Sequence, residues 1–355
     1  MSPDEAAAPA TPPAPAAKPQ NRIGLVQDAY KGLESTLCNG CGHDAITASL
    51  VRTLWEMDVE PHRVAKMSGI GCSSKTTAYF LNGAWGFNAV HGRMPSVATG
   101  ALLANRTLLP VGVSGDGDTA SIGMGQFVHL IRRNVPIVYV IENNGVYGLT
   151  KGQFSATADR GSKSKWGVVN EMEPIDCCGL AIELGCGFVA RSFAADKKQL
   201  ESVLKAALAY RGTAVVDVVS PCVTFNNHPG STKSYDWGRE HEKHIHEVGF
   251  VPHWQQVEVD VPDGESRSIE MPDGSRIVLR KVDRDFDPTV AMEAVRLLRE
   301  SRGRGEFLTG IFHLRTGQPT FDQQLGLVEE PLATLPEARV RPPRAVLEAV
   351  MHSLK

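Results

Sequence analysis

Residues 108–153, LLPVGVSGDGDTASIGMGQFVHLIRRNVPIVYVIENNGVYGLTKGQ, constrain the fold of this chain more than any other stretch. Residues 108–114 are a short apolar run of the kind that makes a buried parallel strand. Gly115-Asp116-Gly117-Asp118 breaks it. Residues 121–133 then place Ile122, Met124, Phe127, Leu130 and Ile131 at helical spacing, with basic residues in the last turn. A second β-branched run, 136–141, leads to Asn143-Asn144-Gly145. A right-handed strand–helix–strand unit brings both strand ends to one edge of the sheet. Asp116 and Asn144 are therefore expected together at the carboxyl edge, where open α/β sheets bind ligands.

The residue types at that edge suggest a ligand. Mg²⁺ takes oxygen donors in an octahedron, usually one or two from side chains and the rest from phosphates and water. A carboxylate, an amide oxygen and a loop carbonyl beside a glycine turn and a helix start suit a Mg-diphosphate. Taken singly, GDG reads equally as a capped strand–helix turn, and Asn-Gly as a common turn. The double Asn after a second strand, followed by GVYGLTKGQ, favours the cofactor.

The rest of the chain narrows the class. With 355 residues it has room for one large α/β domain or two smaller ones. A net charge of −3 gives no pull toward nucleic acid or a membrane surface. No apolar run is of membrane-span length, and the start does not read as a signal peptide. Residues 1–21 are a Pro/Ala-rich tract expected to be a disordered tail. The expectation is a soluble, cytoplasmic protein. Its seven cysteines then read as thiols or metal ligands rather than disulfides.

Two of the cysteines open a helix. Cys38-Asn39-Gly40-Cys41-Gly42 precedes an apolar-periodic segment that runs to about Met57. C-x2-C at a helix start suits iron- or zinc-bound thiolates, although the spacing equally fits a redox pair. Its glycines favour a metal loop, where amides approach sulfur closely. Residues 64–69 read as a strand with Cys72 just past its end. His91 reads equally as a buried, satisfied histidine and as a site residue, and SVATGALLANR after it as a small-residue helix. Residues 154–167 read as a long polar loop. A helix (176–184), a strand (187–191), a second helix (195–210) and a strand (213–220) follow, with Cys222 beyond the last. Cys177 and Cys178 project about 100° apart on a helix; with Cys186 they read as structural thiols.

From Tyr235 the character changes. His241, His244 and His246 cluster in H-x2-H-x-H, a metal pattern without supporting carboxylates and better read as a solvated arm. Asp263-Gly264 and Asp273-Gly274 predict hairpin turns. A helix (287–299) and a strand from Glu306 precede a terminal excursion. Three divisions are expected: the tail 1–21, a cofactor domain 22–234, and an extension 235–355 for subunit contact or active-site cover.

LCNGCGH, SGIGCSSK, HGRMPSVATG, GDGD…NNGVYGLTKGQ and SPC, in that order over residues 38–226, closely resemble the thiamine-diphosphate-binding β subunit of 2-oxoacid:ferredoxin oxidoreductases. Leu37 and Asn39 stand where that family often has Trp and Pro. The resemblance implies a thiamine-diphosphate-binding α/β fold, with a mostly parallel sheet and helices on both faces. It implies a [4Fe-4S] cluster on Cys38, Cys41, Cys72 and Cys222, and Mg²⁺ on Asp116, Asn144 and the Val146 carbonyl. Around the cofactor it places Ile70, Gly71, Cys72, Ser73, His91, Gly115, Gly117, Asp118, Gly148 and Leu149. Lys75 matches the position that meets the substrate carboxylate and Lys151 one implicated in coenzyme A binding; an exposed lysine is the plainer reading of each.

The implied reaction is coenzyme A-dependent oxidative decarboxylation of a 2-oxoacid, with electrons passing through the cluster to ferredoxin. The GIGCSS, GLTKGQFS and HE-x-GFVP stretches point to the 2-oxoglutarate branch, with pyruvate as the alternative substrate. A non-catalytic iron–sulfur or scaffold subunit, and a zinc site on the same cysteines, are the other readings. No second thiamine-type domain is visible to supply the glutamate that activates the aminopyrimidine. An α subunit is expected to provide it in an (αβ)₂ assembly.

Overall fold

The computed structural model describes residues 18–228, 231–244, 266–270, 276–280 and 286–354. Most of the Pro/Ala tract, His246, the HE-x-GFVP stretch and both Asp-Gly turns lie outside the described residues.

Eight strands form the main sheet: β1 (Val64–Ser68), β2 (Trp85–Asn88), β3 (Leu109–Gly115), β4 (Ile137–Asn143), β5 (Phe188–Phe193), β6 (Thr213–Val219), β7 (Glu242–His244) and β8 (Phe307–Leu314). Their order is β2-β1-β3-β4-β6-β5-β8-β7. The first six are parallel. β8 runs antiparallel to β5, and β7 lies parallel to β8. The sheet thus takes two strands from beyond residue 234, so that boundary does not divide it. Ser266–Glu270 and Arg276–Arg280 pair antiparallel, on either side of the Asp273-Gly274 position.

The central strands β4 and β6 are buried along their whole length, as expected of parallel strands covered on both faces. Period-two alternation divides their side chains. Ile137, Tyr139 and Ile141 enter one core layer, with α2 (Met94–Ala104), α3 (Met124–Arg132), α4 (Cys177–Glu183) and α7 (Ala291–Arg304). Val138 and Val140 enter the other, with α1 (Gly42–Glu56) and α5 (Lys197–Ala209). Between these last two helices and α7 in chain order lies α6 (Tyr235–His241). Ile46, Leu50 and Leu54 of α1 are fully buried, each contributing about 1.5–3 kcal/mol of burial.

The small-residue helix α2 lies tight on β3. A Cβ on Gly112 would stand 2.6 Å from Met94 Sδ. Cys177, Cys178 and Cys186 are buried in the core, where desolvation raises all three thiols and pushes Cys186 up to about 12. His241 is exposed, stacked on Trp237 at 4.4 Å, with Nδ1 3.0 Å from the Trp237 carbonyl.

Candidate active site

Four parallel strands end at one edge, and each leads into a segment singled out by chemistry. β1 leads to residues 69–75, β3 to Asp116–Asp118, β4 to Asn144 and β6 to Ser220–Cys222. The polypeptide after Gly117 makes a π-helical turn, Asp118–Ile122, closed by the Gly123 amide donating to the Asp118 carbonyl at 2.8 Å. Such turns are often found at functional sites. The expected helix from Ser121 therefore begins properly only at Met124.

One cleft at this edge is lined by Ile70, Gly71, Cys72, Ser73, His91, Gly115, Asp116, Gly117, Asp118, Asn144, Val146, Gly148 and Leu149. His43, Glu142, Tyr147 and Thr150 complete the lining. His91 is exposed there, which corrects the buried reading of that histidine. Lys75 and Lys151 are not on its wall. Lys75 is half-buried, one turn beyond Cys72, with Nζ 3.3 Å from Thr36 Oγ1. Lys151 is exposed, with φ at 80° in the left-handed region that favours glycine.

Asp116 is buried, and desolvation raises its carboxyl above the usual range. Ser155 and Thr157 hydroxyls donate to Oδ2, the latter at 2.6 Å, and the Asn144 amide donates to Oδ1 at 3.3 Å. Thr157 Oγ1 also donates to Asn143 Oδ1 at 2.9 Å, and Asn143 Nδ2 to Asp217 Oδ1 at 3.0 Å. Arg191 closes the network on Asp217 and Asp176 at 2.9 and 2.8 Å. Asn144 Oδ1 accepts from the Val146 amide at 3.1 Å. A buried carboxylate and an amide oxygen are donors of the oxygen type that Mg²⁺ prefers.

Asp118 has a different environment. Its carboxylate accepts from the Gly92 amide and the Ser114 hydroxyl, both at 2.8 Å, and from the Ile70 amide at 3.4 Å. It ties three segments of the cleft wall together. Gly69 is required beneath it, because a Cβ there would lie 1.9 Å from Asp118 Oδ2.

The cysteines meet beside the same wall. A Cβ on Gly148 would lie 3.5 Å from Cys72 Sγ and 3.7 Å from Cys222 Sγ. The Cys38–Cys41 turn is stapled to the β6 exit by the Gly42 amide donating to the Pro221 carbonyl at 3.3 Å and Thr224 Oγ1 donating to Cys38 Sγ at 3.5 Å. Burial pushes the Cys41 thiol up to about 12 and raises Cys72 and Cys222. Among the described residues, no group of three or more His, Cys, Asp or Glu side chains is arranged as it stands to hold a metal ion.

The thiamine pyrophosphate enzyme C-terminal TPP-binding domain family matches residues 69–218. A Sulfolobus relative named 2-oxoacid:ferredoxin oxidoreductase subunit beta is 38% identical over 221 residues, covering 62% of this chain and 70% of its own. The chain belongs to that family of oxidoreductase β subunits. A Mycobacterium tuberculosis relative named 2-oxoglutarate oxidoreductase subunit KorB is 38% identical over 202 residues, 57% of this chain and 54% of that one. The solved 2-oxoglutarate:ferredoxin oxidoreductase of Magnetococcus marinus, with 2-oxoglutarate, coenzyme A and succinyl-CoA bound, superposes with a TM-score of 0.70. It is 28% identical, and the match covers 89% of this chain and 94% of that one.

As an oxidoreductase β subunit with a thiamine-diphosphate-binding domain, the chain also carries site residues that the motifs did not reveal. Ser155 and Thr157 lie in the stretch read only as a polar loop. His43 closes the LCNGCGH motif without an assigned role, and Glu142 falls between the apolar run 136–141 and the Asn143-Asn144-Gly145 turn. Both are buried under the cleft, with His43 Nδ1 3.5 Å from Glu142 Oε2. Desolvation pushes His43 down to about 4 and raises Glu142 well above the carboxylate range. Glu142 accepts from Thr76 Oγ1 at 2.9 Å. The sequence signal for Glu142 is a charged residue directly after an apolar run, in a position the strand extends to include.

Proposed function

We propose that the chain is the thiamine-diphosphate half of a 2-oxoglutarate:ferredoxin oxidoreductase. Its reaction is coenzyme A-dependent oxidative decarboxylation of 2-oxoglutarate to succinyl-CoA and CO₂, or the reverse, with electrons leaving through a [4Fe-4S] cluster to ferredoxin. The observation that carries this reading is Gly148, a cleft residue whose open side faces Cys72 and Cys222 sulfurs. Two cysteine sulfurs beside the oxygen-bearing cleft support a reading in which decarboxylation is coupled to single-electron transfer.

Asp116, Asn144 and the Val146 carbonyl would hold Mg²⁺. Ile70, Gly71, Ser73, Gly115, Gly117 and Leu149 would surround the diphosphate and thiazolium, with Asp118 bracing the wall. Bound thiamine diphosphate supplies the carbanion-stabilising chemistry that a 2-oxoacid needs to lose CO₂. Lys75 is a compact ammonium for the substrate carboxylate, Lys151 one for coenzyme A, and exposed His91 is an imidazole positioned for acid–base work at the cleft wall. Cys38, Cys41, Cys72 and Cys222 are the cluster ligands.

The names of the KorB relatives and of the Magnetococcus enzyme support 2-oxoglutarate. The β-subunit name of the relatives supports an α partner, in an (αβ)₂ assembly. The test is anaerobic co-purification with a candidate α subunit, following visible iron–sulfur absorbance on adding 2-oxoglutarate and then coenzyme A. Bleaching that needs both thiamine diphosphate and 2-oxoglutarate is expected. Faster bleaching with pyruvate would change the substrate. A colourless complex with stoichiometric zinc would remove the cluster, and an iron-bearing complex without thiamine diphosphate would leave an electron-transfer or scaffold subunit.

A further inference from the structure

We infer that His43 is a positioning residue that sets the orientation of the Asn144 amide, so that its oxygen rather than its nitrogen is presented to the divalent cation. The inference rests on the reading of Asn144 as a Mg²⁺ ligand. No motif of the chain assigns His43 a role.

The argument is one of hydrogen-bond direction. The Val146 backbone amide lies 3.1 Å from one end of the Asn144 side chain. A backbone N–H only donates, so that end is the oxygen. The other end, the NH₂, lies 3.5 Å from His43 Nε2. An NH₂ only donates, so Nε2 is the acceptor and the imidazole proton sits on Nδ1. Nδ1 has its own acceptor in Ser220 Oγ at 2.7 Å, with Glu142 Oε2 at 3.5 Å. The chain Ser220–His43–Asn144 therefore has one consistent direction.

Packing holds the imidazole in this place. His43 is 1% exposed in the first turn of α1. A Cβ on the preceding Gly42 would lie 2.5 Å from Ser220 Oγ, so only glycine lets the helix start approach the β6 exit this closely. Asn144 is further tied by Asn226 Nδ2 donating to its backbone carbonyl at 2.7 Å. With its own backbone N–H bonded to Asp116 and its carbonyl to Asn226, amide rotation is the freedom left to the side chain. A half-turn would place NH₂ where the cation needs an oxygen donor. Outer partners that orient a metal ligand commonly change metal affinity by about 10–100-fold.

The test uses the complex assembled with its α subunit and Mn²⁺ as the probe, with binding read by electron paramagnetic resonance in the presence of thiamine diphosphate. Asp116→Ala and Asn144→Ala come first; unchanged Mn²⁺ binding in both would overturn the cation site itself. Given their loss, His43→Phe should weaken Mn²⁺ binding roughly 10–100-fold. Asn144→Asp then isolates orientation, since a carboxylate presents oxygen at either end. In that background His43→Phe should cost no more than about twofold, as uncoupled sites do. An equal loss in both backgrounds means general damage and overturns the inference, as does no loss in either. His43→Gln, which keeps an acceptor in reach, should recover part of the affinity. If His43→Phe does not assemble, Ser220→Ala asks the same question: a loss confined to the Asn144 background supports the orientation chain, and an equal loss or none overturns it.

Discussion

Gly117 has a neighbour that requires it. A Cβ on Gly117 would stand 2.4 Å from the Tyr147 ring, whose hydroxyl donates to the Gly117 carbonyl at 3.1 Å. Gly117→Ala should therefore displace the ring, destabilise the fold by about 1–3 kcal/mol and weaken thiamine diphosphate binding. Gly100 in α2 is the control, because nothing lies within 4 Å of its Cβ position. Gly100→Ala should stabilise by up to about 1 kcal/mol, and thermal unfolding measures both. Residue identity was legible in the sequence where a motif concentrates chemistry, as in GDGD and NNG. For Asp118 the motif did not show the bracing role: it lines the cleft, and its carboxylate also accepts from Gly92, Ser114 and Ile70.

Elements were readable where periodicity is strong. The runs read as β3, β4 and β6 form strands within two residues of the expected bounds, because strands buried on both faces carry unbroken apolar sequence. β2 escaped notice because it is an exposed edge strand without that pattern. Beside it, β1 carries a buried lysine. Lys66 Nζ donates to the Phe80 and Leu81 carbonyls at 2.5 and 2.8 Å, holding a loop in which Leu81 has φ at 46°. Burial pushes Lys66 down to about 8. Between that value and the ordinary lysine pKa of about 10.4, the unfolded chain holds a proton that the folded chain has released. This contribution to stability therefore rises with pH across that window. Lys66→Met removes it, so the stability of the natural chain relative to the variant should climb above pH of about 8. Thermal midpoints of the two proteins measured side by side would show this. Parallel profiles would contradict it.

At the scale of the molecule, the region beyond residue 234 has two parts with different burial. β8 and α7 belong to the body, with Phe312 and Leu298 in the core. The described residues from 336 to 354 are exposed throughout, including Val346, Leu347, Val350 and Met351 of α8 (Arg344–Ser353). Truncation after Leu335 should leave the thermal midpoint of this chain unchanged, since it uncovers no core. If this part serves subunit contact, one of the two roles expected of the extension, the same truncation should weaken co-purification with the α subunit. A large drop in midpoint would show that it packs on the body instead.

By itself the sequence determined the central parallel strands and which of their ends carry chemistry. Apolar runs set the parallel strands, and the handedness of strand–helix–strand units sends Cys72, Asp116, Asn144 and Cys222 to one edge. Only the tertiary structure decided what surrounds them. His43 reaches Asn144 across 101 positions, and Ser155 and Thr157 reach Asp116 across 39 and 41. Periodicity reports which face of its own element a residue occupies. Which distant hydroxyl or imidazole meets a given carboxylate or amide depends on how closely two elements pack, and here that distance is set by side chains as small as Gly42.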